Sequence, residues 1–70
     1  MNVEQIGLLI EDGTELIKMV VMFNETYFIG GNKITKKQFE EVYNKYSKQF
    51  TVRSEHGGSM KHIYRIKNDY

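Results

Sequence analysis

The sequence predicts a small α+β domain: an antiparallel sheet in the order βββαββ with one amphipathic helix packed on one face. Three observations carry this reading. "ITKKQFEEVYNKYSKQF" repeats its apolar residues at helical spacing. "FTVRSEHGGSMKHIYRI" alternates about a Gly-Gly pair, as a half-buried hairpin does. "MVVMF" is an unbroken apolar run of β-rich residues between polar breaks.

The first 17 residues admit two readings. Asp12-Gly13 between apolar runs is a strong short hairpin signal. It favours a strand around 6–11 that turns into a strand over 15–23. The alternative is a short N-terminal helix in place of that first strand. Val3, Ile6, Ile10, Gly13, Ile17 and Val20 fit a helical stripe, and Asn2 with Gln5 fits a capping box. Gly7 and Gly13 count against it, each costing up to about 1 kcal/mol inside a helix. Next come β-rich runs over 18–23 and 26–30, with Asn24-Glu25 as their expected turn. Gly30-Gly31-Asn32 breaks the second run.

The helix is predicted over 35–48. Thr35 caps it and Gln38 completes a capping box. Phe39, Val42, Tyr43 and Tyr46 form the buried stripe, and lysines and glutamates at i,i+4 spacing line the outside. The last two strands are expected to close through a His56-Gly57-Gly58 loop, with Glu55 facing Ser59 and Val52 opposite His62. One face then carries Phe50, Val52, Met60, His62, Tyr64 and Ile66. The other carries Thr51, Arg53, Glu55, Lys61, Ile63, Arg65 and Lys67.

Seventy residues make one domain, 1–70, and bury only about 60% of the surface that the unfolded chain exposes. No cysteine is present, so neither a disulfide nor a thiolate metal site staples the fold. Tight packing or self-association remains. The longest apolar run is far too short for a membrane span, and the N-terminus lacks a basic signal-like region, so a soluble cytoplasmic protein is expected. The net charge of +1 hides an asymmetry. Residues 1–32 hold one cation against five anions, and residues 33–70 hold nine against four. Such polarity fits an anionic partner, though it also fits an ordinary solvated surface.

Catalysis finds little support. Ser54, His56, Ser59 and His62 lie close in sequence, but three of them cluster at a turn with little rigid support, so no catalytic residues and no cofactor are expected. Two histidines fall short of a structural zinc set, so no metal is expected. "IGGNKIT" lacks the phosphate-loop pattern. Two binding readings remain. In the first, the chain is a non-catalytic protein that works through protein–protein contacts. The run around Met19, Val21 and Phe23 supplies its apolar surface, because a strand with no polar alternation needs cover on both faces. In the second, Arg53, Lys61, Arg65 and Lys67 form a cationic hairpin face for nucleic acid. That face offers no aromatic for base stacking other than Tyr70.

The short, cysteine-free, Lys/Asn-rich chain resembles small bacteriophage accessory proteins, many of which inhibit or regulate a host enzyme. A hairpin followed by a capped helix with Phe39-Glu40 and Tyr43, then a strand, is similar in order to the short phage uracil-DNA glycosylase inhibitors. Those are acidic DNA mimics. The corresponding half here carries +5, which opposes that mimicry, and no site residue is carried over.

Overall fold

A computed structural model describes residues 1–67. The chain runs α1 (Val3–Glu11), β1 (Leu16–Val21), β2 (Asn24–Ile29), β3 (Asn32–Ile34), α2 (Lys36–Tyr46), β4 (Phe50–His56) and β5 (Met60–Ile66). The five strands form one antiparallel sheet in the order β3-β2-β1-β5-β4. The α+β class holds. The strand expected over 6–11 does not: that segment is α1, the alternative reading.

Local chemistry explains the helix. Asn2 Oδ1 accepts from the Gln5 N–H at 2.9 Å, and Gln5 Oε1 accepts from the Asn2 N–H at 2.9 Å. This capping box satisfies two of the orphan donors at the helix start. At the far end Gly13, at φ +96°, donates to the Ile10 carbonyl, and Thr14 donates to the Leu9 carbonyl. That pair of bonds is a Schellman cap, so Asp12-Gly13 ends a helix here and does not turn a hairpin. Gly7 is no breaker either. It is buried, and a Cβ built on it would lie 3.2 Å from the Tyr46 hydroxyl oxygen. Its missing side chain lets α1 approach α2.

α2 begins where expected. Thr35 and Gln38 close their capping box at 3.1 and 3.0 Å. The Gln38 side-chain amide also donates to the Met1 carbonyl at 2.6 Å, tying the two helix starts together. Ile6 and Ile10 of α1 and Phe39, Val42 and Tyr46 of α2 pack with Leu16, Tyr27, Ile29 and Ile34 in one core cluster. An aromatic chain extends it toward β4: Phe39 to Tyr64 at 5.9 Å between centroids, and Tyr64 to Phe50 at 5.7 Å. Contacts of this kind prefer tilted and edge geometries, as here.

Two turns differ from expectation. β1 and β2 pair Val21 with Asn24, so the turn is Met22-Phe23 and not Asn24-Glu25. This register sets Leu16 opposite Ile29, both fully buried. A turn two residues later would set Leu16 opposite Lys33 and lose that pair. The β4–β5 loop is Gly57-Gly58-Ser59, with Gly58 at φ +74° and His56 opposite Met60. The register slides by two residues from the expected one. Because side chains alternate with period two, both faces keep their predicted membership.

Core truncation and surface truncation on the same helix separate α1 from a strand. Ile10→Ala should cost about 2–5 kcal/mol, a large part of the stability of a chain this small. Leu8→Ala, at a position 67% exposed, should stay within about 0.5 kcal/mol. Urea denaturation of the two variants measures the contrast.

Candidate binding face

Both helices lie on one side of the sheet, so no described element covers the other side. The alternation of β1 and its register partners assigns this open face. Ile17, Met19 and Val21 come from β1, Thr26 and Phe28 from β2, and Lys61, Ile63 and Arg65 from β5; β4 adds Thr51, Arg53 and Glu55. β1 is therefore not enclosed on both faces, as its unbroken apolar run had implied. Ile17 and Met19 are half-buried and Val21 is exposed. Ile63 is 4% exposed yet stands outside the main core cluster, because it lies on the opposite face of the sheet. It sits opposite Ile17 on one side and Arg53 on the other.

The two groups singled out in the sequence share this face. Met19 pairs directly with Lys61. Met19 and Val21 lead to the Met22-Phe23 turn, where Phe23 is 98% exposed and Met22 85%. Met22 has φ +56°, and it is the one non-glycine with positive φ among the described residues. A two-residue turn with positive φ at its first residue alone follows the II′ pattern, which favours glycine there. A bulky residue in that region carries a strain of order 1–3 kcal/mol.

Arg53, Lys61 and Arg65 project onto the open face, and Lys67 is exposed just beyond β5. Arg53 is not a free cation. Its guanidinium lies 3.7 Å from Glu15 and 3.5 Å from Glu55. Glu15, Thr51, Val52, Arg53, Ile63 and Arg65 line a shallow groove of about 310 Å³. Sequence reasoning missed Phe28, which lies half-buried on this face opposite Ile17 and Lys33. Period two counted back from a correct β1–β2 turn would have placed it there. Tyr70, the aromatic considered for that role, lies outside the described residues.

The histidines separate. His56 is exposed at the end of β4. His62 is half-buried, and its Nδ1 lies 3.1 Å from Ser54 Oγ across the β4–β5 pair. That pair sits on an exposed strand, and among the described residues no third group orients the imidazole. Nor does any group of three or more His, Cys, Asp or Glu side chains converge there in a way that could hold a metal ion. No helix among them is long and apolar enough to cross a membrane.

A polar cluster stands at the edge of the core face. The Tyr27 hydroxyl donates to the Glu25 carboxylate, and Lys18 Nζ lies 3.6 Å from Glu25. The hydrogen bond from Tyr27 holds the Glu25 carboxyl below its ordinary range. Desolvation of the buried Tyr27, followed by that same bond, pushes its hydroxyl up to about 12. The chain matches no family model, no curated protein and no solved structure.

Two measurements test this geometry. Met22→Gly relieves the turn and should raise stability by up to about 1 kcal/mol, the gain being offset in part by the freer unfolded chain. The Tyr27 pair gives a pH signature. A hydroxyl titrating higher folded than unfolded stabilises fully below pH 10.0 and loses that contribution as pH rises toward about 12. Glu25 titrates lower when folded, so its contribution is present above 4.5 and disappears as pH falls below that value. Thermal unfolding across pH 3 to 12 should show both limbs, and Tyr27→Phe should flatten the alkaline one.

Proposed function

We propose that the chain is a non-catalytic binding protein that engages another protein through the helix-free face of its sheet. The observation that carries this reading is the Met22-Phe23 turn. It presents two large apolar side chains almost wholly to solvent, one of them in a strained backbone conformation. Strain and exposed apolar area both cost stability, and a binding partner offsets both. Met19 and Val21 continue the apolar strip, and Lys61 and Arg65 border it. A partner with an apolar patch and an acidic rim fits that layout. Exposed aromatic anchors of this kind dominate binding energy when a partner buries them. The likeness to small phage accessory proteins points to inhibition or regulation of a host enzyme.

A second reading has one specific support. Phe28 supplies the stacking surface that the cationic face otherwise lacks, with Lys33 directly opposite it and Lys61 and Arg65 on β5, across β1. A single strand laid across an open sheet uses this combination.

Two arms tell them apart. In the protein arm, immobilised chain captures a partner from host lysate, Phe23→Ser loses it, and Leu8→Ser on the helix side keeps it. Capture that survives Phe23→Ser removes the turn from the interface. In the nucleic-acid arm, labelled single-stranded DNA and RNA are titrated at two salt concentrations. The second reading expects a log–log salt slope of about −3, lost when Arg53, Lys61, Arg65 and Lys67 are all changed to alanine. No binding at low salt removes it.

A further inference from the structure

The open face ends at β4, and the free edge of β4 has chemistry of its own. We propose that two copies of this chain pair antiparallel along β4, with a two-fold axis at Ser54, to form one continuous ten-stranded sheet. The inference does not depend on what the open face binds.

Among the described residues nothing pairs with this edge. β4 is seven residues long, and Thr51 to His56 are all exposed. It contains no proline, and its pairing to β5 runs without a bulge. The opposite edge, β3, has only three residues, which is the usual protection of an edge. β4 lacks that protection.

The hydrogen-bond phase of the β4–β5 ladder shows which groups are free. The Lys67 N–H donates to the Gln49 carbonyl at 2.9 Å, and the Gly57 N–H donates to the Ser59 carbonyl at 3.0 Å. Both bonds fall on odd-numbered β4-side positions, so Thr51, Arg53 and Glu55 bond inward to β5. The N–H and C=O groups of Val52, Ser54 and His56 therefore point outward, as alternate residues of an antiparallel edge do.

Charge selects the register. Pairing with fullest overlap would put the axis at Arg53 and set two guanidinium groups directly opposite each other, which destabilises a sheet pair. Moving the axis to Ser54 keeps every side chain on its own face. It sets Arg53 opposite Glu55 of the second copy, twice by symmetry, and Val52 opposite His56. Arg53 and Glu55 already attract one another within one strand, 3.5 Å apart. Opposite charges two residues apart are thus self-complementary about the residue between them. A like-charged pair would have guarded the edge. The two-fold axis is normal to the sheet, so the helices of both copies stay on one side.

Charge reversal and an engineered thiol test the proposal. Sedimentation equilibrium should show mass rising with concentration from 8.3 kDa toward twice that value. Arg53→Glu and Glu55→Arg should each weaken association about tenfold or more, because each places like charges opposite one another twice. The double variant should restore it. Both side chains are more than half exposed, so the single variants should fold, which circular dichroism checks. In this cysteine-free chain, Ser54→Cys should oxidise to a disulfide dimer faster than Thr51→Cys. Residues facing across the axis lie about 5.5 Å apart at Cα, within disulfide range. A chain that stays monomeric at millimolar concentration overturns the proposal. So does association indifferent to both single reversals, or equal oxidation at the two cysteine positions. Phe23→Ser should leave the dimer unchanged, which separates this edge from the open face.

Discussion

The close approach of α1 to α2 at Gly7 and Tyr46 determines how the rest of the molecule is arranged. A methyl group at position 7 would lie 3.2 Å from the Tyr46 hydroxyl oxygen, so the bare glycine gives the two helices their close fit. Because the two helices fit side by side, both pack on the same side of the sheet and their apolar stripes meet in a single core. The Gln38–Met1 hydrogen bond fixes their starts relative to one another. With a bulkier residue at position 7, α1 would be pushed off α2. Among the described residues no further element covers the second face, so a one-sided core leaves the other side of the sheet bare.

That arrangement also divides the charge. Lysines and arginines crowd the second half of the sequence, but the fold does not gather them into one patch. Lys36, Lys37, Lys45 and Lys48 belong to α2 and its end, in the helical layer. Arg53, Lys61 and Arg65 belong to the bare side of the sheet. Arg53 is partly neutralised by Glu15, which comes from the acidic half of the chain. The open face is therefore a mosaic, apolar along β1 and its neighbours and cationic along β5. Such a mosaic suits a mixed contact better than a uniform polyanion.

Much of the fold was legible where local signals had one meaning. α2 had both a capping box and an uninterrupted stripe, and it formed within two residues of its predicted ends. The faces of the last hairpin were legible even though its loop was not. Alternation survives a two-residue slide, while loop choice depends on which glycine takes φ +74°. Over 6–11 the favoured strand gives way to the alternative helix because the signals there are ambiguous. A glycine after an aspartate serves a hairpin or a helix cap equally well, and a glycine within a helix weakens it unless a neighbour uses the space. Tyr46, far along the chain, decides the second question. The Met22-Phe23 turn escaped notice for a related reason. Turn chemistry favours Asn24-Glu25, and the burial of Leu16 against Ile29 overrides it. Of the candidate face, the cationic and apolar residues stand out in the sequence as two separate groups. Their sharing of one face, and Phe28 among them, followed only from the strand order.

The strand order also bears on how the chain reaches this state. β1, β2 and β3 form a meander of near neighbours, and β4 with β5 forms a second local hairpin. Each closes a short loop, which is quick and entropically cheap. Only the β1–β5 seam joins segments from opposite ends of the chain, with Leu16 against Tyr64 and Ile17 against Ile63. The main core cluster comes from residues 6–46, but Ile63 and Tyr64 reach their apolar neighbours on β1 only when that seam closes. The central pairing of the finished sheet is thus its most demanding step, and the barrier to folding is expected to lie there, between two preformed pieces.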